Sequence, residues 1–150
     1  MEHEIAGKSV RRLDYAAKVT GKALYLADMK FPGMCHGKIL RSSVPHARLR
    51  RIDAAKAFEV PGVVAVLTRD DIVKGRGIDP YFGPVFKDQT IVAVDKVRHV
   101  GDPVAAVAAL DPNAAEEALG YIEVDYEELP VVSDVMEAVG KDAPLVHESV

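Results

Sequence analysis

The stretch Val104-Ala105-Ala106-Val107-Ala108-Ala109-Leu110 is continuously apolar and consists almost entirely of alanine and valine. A run of this length predicts a strand, and its many alanines indicate that a neighbouring element lies close against it. A second run, Val63-Val64-Ala65-Val66-Leu67-Thr68, is short and rich in β-branched residues, which is typical of a strand buried on both faces. Both runs are therefore placed in the central sheet of the predicted fold.

Four further segments around these runs are predicted to be strands. Tyr121 to Tyr126 alternates cleanly between apolar and polar residues, as a half-buried strand does. The other three have shorter or mixed patterns and cover residues 34–41, 47–52 and 90–94.

Two helices are predicted between the strands. Asp53 can accept the free N–H groups of a short helix over Ala54 to Glu59, which Pro61-Gly62 ends. Asp111 is the predicted N-cap of a clearer helix, with Pro112 at its first position. Its apolar stripe consists of Ala114, Ala115, Ala118 and Leu119, and its water-facing residues are Glu116 and Glu117. This element order predicts an α+β fold, a mixed β-sheet packed with a few short helices.

Two segments are predicted to lie outside the sheet. Residues 7–33 form an extended leader, punctuated by turns, that lies on a surface. Residues 69–90 form a long loop whose glycines and prolines surround Tyr81 and Phe82. A loop of this length in a compact domain is usually functional or is covered by a partner.

The composition limits the classes of protein to which the chain can belong. The chain has 150 residues, of which 49% are apolar and 28% charged, and this balance predicts one globular domain. No apolar run is long enough to span a membrane, and the first residues do not resemble a secretory signal. The single cysteine, Cys35, cannot form an internal disulfide, which fits a reducing cytoplasm.

The charge is unevenly distributed along the chain. Residues 1–52 carry eleven basic and four acidic residues, a net charge of +7, whereas residues 53–150 carry a net charge of −11. The densest basic cluster, Arg48-Leu49-Arg50-Arg51, has no aromatic residue nearby that could stack on a base. The pattern therefore favours a solvated or intersubunit face over nucleic-acid binding.

Self-contained catalytic or metal sites are not predicted. Cys35 and His36, with His46 or His99, are the only candidate metal cluster, but adjacent strand residues point to opposite faces. Ser42-Ser43 with His46 lacks the turn that exposes a nucleophilic serine. The paired carboxylates at 70–71, 116–117 and 127–128 are flanked by charge, and Gly75-Arg76-Gly77 completes no phosphate-binding motif.

Several sequence segments, taken in order, resemble the molybdenum-cofactor large subunit of the xanthine dehydrogenase and aldehyde oxidase family. The first two are Gly7-Lys8-Ser9-Val10-Arg11-Arg12-Leu13-Asp14 and Lys18-Val19-Thr20-Gly21-Lys22-Ala23-Leu24-Tyr25-Leu26-Ala27-Asp28. The later ones are Leu40-Arg41-Ser42 with Pro45-His46-Ala47-Arg48, then Pro61 to Thr68, Asp95 to Ala105, and Val124 to Pro130. Together they cover nearly the whole chain.

The resemblance implies that residues 1–150 are the α/β hammerhead domain of that subunit, with residues 1–30 as its leader. It also implies that the pterin-binding segments and the catalytic glutamate lie on the remainder of the large subunit. The implied chemistry is hydroxylation of a heterocycle or an aldehyde, with oxygen from water, at a molybdopterin-bound molybdenum. Electrons then pass to iron–sulfur clusters and FAD on partner subunits or domains. The isolated chain is expected to be inactive.

The resemblance assigns no catalytic, cofactor-binding or metal residue to this chain. It implies that the loop residues Tyr81, Phe82, Pro84, Val85 and Phe86 approach the substrate funnel, although an ordinary exposed loop would have the same pattern. Arg11, Arg12 and Lys18 are expected at a subunit interface. Two alternatives stay open: a free-standing binding module with no catalytic partner, and an independent enzyme with a site around His36, His46 and His99.

Overall fold

The structure, a computed structural model, describes residues 7–75 and 79–148. The chain divides into two units, Met1–Met34 and Cys35–Val150. No helix within the described ranges is long and apolar enough to cross a lipid bilayer.

The described part of the first unit, residues 7–34, contains one short helix, so the prediction of an extended leader punctuated by turns is wrong at that helix. Helix α1 covers Tyr15–Val19, and a 3₁₀ turn covers Leu26–Asp28. The helix forms because the Asp14 carboxylate lies 2.7 Å from the Lys18 ammonium one turn later, and the Ala17 carbonyl accepts N–H bonds from the next segment. Neither element buries a residue, which leaves the segment with little packing of its own.

The second unit contains eight strands and three α-helices among its described residues. The strands are β1 (His36–Arg41), β2 (Ala47–Asp53), β3 (Val63–Leu67), β4 (Tyr81–Phe82), β5 (Gln89–Thr90), β6 (Lys96–Val97), β7 (Pro103–Ala109) and β8 (Glu123–Glu128). The helices are α2 (Arg69–Lys74), α3 (Pro112–Leu119) and α4 (Val135–Ala138), with a 3₁₀ helix over Ala55–Glu59.

These strands form two three-stranded sheets and one hairpin. The sheet orders are β1-β7-β3 and β6-β2-β8, and β4 pairs with β5. All of these pairings are antiparallel. The predicted α+β class, with β-sheets and a few short helices, is confirmed.

Strand β7 is the central element of the fold. Ala105, Val107 and Ala109 belong to one buried cluster, and Val104 belongs to a second cluster with residues of β2 and β6. The expectation that β3 is buried on both faces is wrong, because β3 pairs only with β7 and its Val64 is 56% exposed. A continuous apolar run does not distinguish the central strand from the edge strand beside it.

Helix α3 lies against β1 and β7, as the alanine-rich sequences predict. Its Ala115 and Ala118 are fully buried in the same cluster as Ala105 and Ala109. Small side chains on both elements allow the helix to approach the sheet closely. The Asp111 carboxylate accepts N–H bonds from Asn113 at 2.8 Å and Ala114 at 3.2 Å, which confirms the predicted N-cap.

Other boundaries differ from the predictions. The first predicted helix is a 3₁₀ helix with Ala54 at its N-cap position, and of its backbone N–H groups the Asp53 carboxylate accepts that of Ala55, at 3.1 Å. Beyond β5, residues 91–94 are irregular although Val92 and Ala93 are buried. The Ala93 N–H donates to the Pro103 carbonyl outside a strand ladder, so the apolar pattern there indicates burial without extended pairing.

The predicted loop over residues 69–90 contains α2, a helix that was not expected from the sequence. The Asp71 carboxylate accepts from the backbone N–H and the hydroxyl of Thr68, at 2.7 and 2.9 Å, and this fixes the start of the helix. The Arg69 guanidinium donates to the carbonyls of Leu49 and Arg50, where the register between β2 and β8 shifts. Arg69 therefore satisfies carbonyls that the irregular pairing leaves open.

The central position of β7 can be tested by removing methyl groups. Val107→Ala should lower the free energy of unfolding by about 1 to 3 kcal/mol, because the side chain is buried in a closed cluster. Val64→Ala on β3 is the matched control, and it should change stability by less than about 0.5 kcal/mol. Denaturant unfolding measures both, and equal losses would contradict the assignment of β7 as the centre.

The cap of α3 gives a second test. Asp111→Ala removes the acceptor for two first-turn N–H groups and should cost about 1 kcal/mol of stability. Asp111→Asn keeps an acceptor oxygen and should lose much less. Denaturant midpoints compare the two variants, and an unchanged midpoint for Asp111→Ala would show that the cap contributes nothing.

Candidate functional site

Asp79, just before the hairpin β4-β5, bonds to two parts of it. The Asp79 carboxylate accepts the Tyr81 N–H at 3.0 Å and the Lys87 ammonium at 2.6 Å. The bond from Lys87, followed by that from Tyr81, holds the pKa of Asp79 below its usual value. The carboxylate therefore stays charged through the neutral range, and its two bonds join the residue before the hairpin to β4 and to the β4–β5 turn.

The tip of the hairpin requires glycine at position 83. A Cβ atom on Gly83 would lie 1.7 Å from the Phe86 carbonyl oxygen, so no larger residue fits this tip as it stands. Phe82, Val85 and Phe86 are all exposed around it. The chain thus holds a compact apolar tip out in solvent.

All five residues predicted for the funnel loop fall on this hairpin or its tip. Tyr81 and Phe82 form β4, opposite Thr90 and Gln89, and Pro84 to Phe86 follow at the turn. Of these five residues, Tyr81 is half-buried and the other four are exposed. Of the Gly75-Arg76-Gly77 motif, only Gly75 lies within the described residues.

A cleft of about 420 Å³ lies between the hairpin and the loop that precedes β7. It is lined by Phe82, Asp88, Gln89, Thr90, Arg98, His99, Asp102, Pro103 and His147. Of these, Phe82 belongs to the predicted funnel loop and His99 to the alternative histidine site. Arg98 and His147 were missed because they are far apart in the sequence and no motif spacing connects them.

The loop before β7 is fixed by bonds to the end of β1. The Ser42 N–H donates to the Asp102 carbonyl, and the Gly101 N–H donates to the Ser42 carbonyl, both at 2.8 Å. Arg41 also donates to the Gly101 carbonyl at 2.8 Å. Within the loop, the Asp102 carboxylate accepts the Arg98 N–H at 2.9 Å. These bonds give one wall of the cleft a defined shape.

Ser42 and His46 are structural residues in this arrangement. The Ser42 hydroxyl donates to the Val44 carbonyl at 2.7 Å, so its proton is not directed at His46. The His46 Nδ1 atom lies 2.8 Å from the Pro130 carbonyl, and the ring is buried. Burial also raises the pKa of Tyr126, partly opposed by a bond to Ser42. Ser42, His46 and Tyr126 therefore form a polar cluster in which the serine and the histidine are not paired as a nucleophile and its general base.

The three histidines of the alternative site lie in different places. His36 pairs with Ala109 at one end of the β1–β7 ladder, whereas His99 lies in the loop before Pro103 at the other end. His46 is bonded to Pro130. Among residues 7–75 and 79–148, no three histidine, cysteine, aspartate or glutamate side chains are grouped so as to hold a metal ion.

The basic residues expected at an interface are partly paired within the chain. Arg12 and Lys18 both contact the Asp14 carboxylate, at 2.6 and 2.7 Å, and Lys18 and then Arg12 lower the pKa of Asp14. Arg11 is exposed. In the basic cluster at residues 48–51, ion pairs join Arg50 to Glu127 and Arg51 to Asp53. Much of the positive charge of that cluster is therefore neutralised locally.

Comparison with known proteins identifies the family. The model for the "Aldehyde oxidase and xanthine dehydrogenase, a/b hammerhead domain" matches residues 20–130. A probable xanthine dehydrogenase subunit of Bacillus subtilis (strain 168) is 43% identical over 137 residues, which are 91% of this chain and 18% of that protein. The nicotinate dehydrogenase large molybdopterin subunit of Eubacterium barkeri is 39% identical over 97% of this chain and 33% of its own length.

Solved structures agree in fold. A Cu,Mo-CO dehydrogenase matches with a TM-score of 0.85 and 38% identity, over 96% of this chain and 18% of that one. The aldehyde oxidoreductase of Desulfovibrio gigas matches with a TM-score of 0.78 and 30% identity, over 92% of this chain and 16% of that one. The chain spans a third or less of these relatives. It belongs to the aldehyde oxidase and xanthine dehydrogenase family and carries the α/β hammerhead domain of that family.

Proposed function

We propose that this chain is the N-terminal hammerhead scaffold of a molybdenum hydroxylase, an oxidoreductase that hydroxylates a heterocycle or an aldehyde with oxygen from water. The observation that carries the proposal is the similarity of almost the whole chain to a small part of much longer relatives. Two of these relatives are named as a molybdopterin subunit and as a Cu,Mo enzyme. The proposed setting is the cytoplasm, and residues 1–150 form one hammerhead domain with residues 1–30 as its leader.

In this proposal the molybdenum cofactor is not held by the side chains of this chain. Within the described ranges, histidine, cysteine and carboxylate groups form no cluster of three that could ligate a metal. The cofactor, molybdopterin-molybdenum, would be held by the remainder of the large subunit, and the iron–sulfur clusters and FAD by an iron–sulfur subunit and an FAD subunit. This chain would contribute position and shape to the assembly.

The hairpin is proposed to form part of the wall of the substrate funnel. Asp79 bonds Tyr81 and Lys87, and Gly83 restricts the tip to one tight turn. Phe82, Val85 and Phe86 expose apolar surface together at this tip, and contiguous exposed apolar surface often marks contact with a ligand or a partner. The alternative is an ordinary exposed loop, and the hairpin variants described below distinguish the two.

The leader is proposed to lie against a partner subunit through Arg11, Arg12 and Lys18. Ordering a backbone costs about 1 to 2 kcal/mol per residue, and α1 buries no side chain to offset it. Hydrogen exchange in residues 7–22 should therefore slow when partner subunits are added, while exchange in β7 stays constant. Unchanged exchange in the leader contradicts an interface there.

The scaffold role is tested by comparing the isolated chain with the assembly. The isolated chain should bind no molybdenum and should reduce no dye with a purine or an aldehyde, because in this proposal the remainder of the large subunit holds the cofactor. The chain assembled with the remainder of the large subunit and its partners should do both. Stoichiometric molybdenum in the isolated chain contradicts the role, and an assembly inactive with every purine and aldehyde favours a free-standing binding module.

The hairpin assignment is tested in the assembled enzyme. Phe86→Ala should change kcat/KM for a bulky aromatic aldehyde by about tenfold relative to a small aliphatic one, since it alters the shape of the passage. Phe58→Ala, at a similarly exposed phenylalanine in the 3₁₀ helix, is the control and should leave that ratio unchanged. Equal ratios for both variants would place the hairpin away from the substrate.

A further inference from the structure

The cleft beside the hairpin has the size and lining of a ligand site. Its volume of about 420 Å³ lies within the range of sites for small organic molecules, roughly 300 to 1,000 Å³. Its lining includes a phenylalanine, an arginine and two histidines. All of them belong to the Cys35–Val150 unit, so the cleft is formed by one body of the chain.

The guanidinium of Arg98 is only weakly paired for a group so deeply buried. Its side chain is 14% exposed, yet its Nη atoms reach only the Lys96 carbonyl at 3.3 Å and the Asp95 carboxylate at 3.5 Å. Its Nε atom is buried without a hydrogen-bond partner among the described residues. A buried arginine normally donates to close acceptors, often a bidentate carboxylate. The part of the chain that the structure describes offers Arg98 no such acceptor.

The acidic side chains of the cleft are directed elsewhere. The Asp102 carboxylate accepts the Arg98 backbone N–H at 2.9 Å and lies 3.9 Å from the His99 Nδ1 atom. The Asp88 carboxylate lies near the hairpin tip, 3.2 Å from the place that a Cβ on Gly83 would take. Neither forms a close pair with the Arg98 guanidinium.

Lys96 and Glu148 form an ion pair near Arg98. The buried Lys96 ammonium lies 2.9 Å from the Glu148 carboxylate. That bond is the main cause of the lowered pKa of Glu148, and the charges of Lys96 and Arg98 add to it. His99 is largely exposed and can add a further donor.

We propose that the cleft binds a small aromatic carboxylate, with the carboxylate on Arg98 and the ring against Phe82. The Nη groups of Arg98 supply charged N–H donors, and Phe82 supplies a half-exposed apolar face in the same cleft. A metal ion is not the ligand, because none of the described side chains cluster in threes around a coordination site. The proposal rests on the cleft alone and needs no part of the proposed oxidoreductase function.

Calorimetric titration of the 150-residue chain tests the site, with benzoate as the probe and acetate and inorganic phosphate as comparisons. Benzoate should bind saturably at one site and more tightly than either comparison. Arg98→Gln should weaken benzoate binding about tenfold or more, as loss of bonds from a charged donor does. Arg50→Gln, which removes an arginine outside the cleft, should leave the affinity unchanged.

Two further variants keep the result decisive. If Arg98→Gln does not fold, His99→Gln changes an exposed side chain and should still weaken benzoate measurably. Phe82→Leu should weaken benzoate but not acetate. The proposal is overturned by the absence of saturable benzoate binding, by equal binding of phosphate and benzoate, or by equal losses in the cleft variants and in Arg50→Gln.

Discussion

The close approach of α3 to β7 is the contact on which the rest of this structure depends. Ala115 and Ala118 on the helix meet Ala105 and Ala109 on the strand in one fully buried cluster. Because none of these side chains extends beyond a Cβ atom, the helix can lie directly on the sheet. Strand β7 also contributes Val104 to the second cluster, so one strand joins both apolar cores.

The candidate site takes its position from the start of that strand. Pro103 begins β7, and the loop before it forms one wall of the cleft. Bonds from Ser42 and Arg41 tie this loop to the end of β1. The hairpin on the other side carries its own bonds from Tyr81 and Lys87 to Asp79. The cleft therefore lies between a loop bonded to the end of β1 and a hairpin with its own local bonds.

The sequence predicted those features that local chemistry determines. We could predict the Asp111-Pro112 start of α3 and the alanine-rich central strand, because a helix cap and an apolar run are local signals in the sequence. The burial of β3 was overestimated because strand order depends on distant pairing. Helix α2 was missed although Thr68 and Asp71 carry a capping signal. The cleft was not predictable, since Arg98 and His147 meet only through the fold.

The measurement that tests this account most directly is the stability of Ala115→Leu. Leucine is more apolar than alanine and is almost as good a helix former, so a loosely packed site would gain stability from it. If α3 lies as closely on β7 as the structure shows, the larger side chain should lower the free energy of unfolding by about 1 to 3 kcal/mol. Unchanged or increased stability in denaturant unfolding would contradict the close contact and the fold built on it.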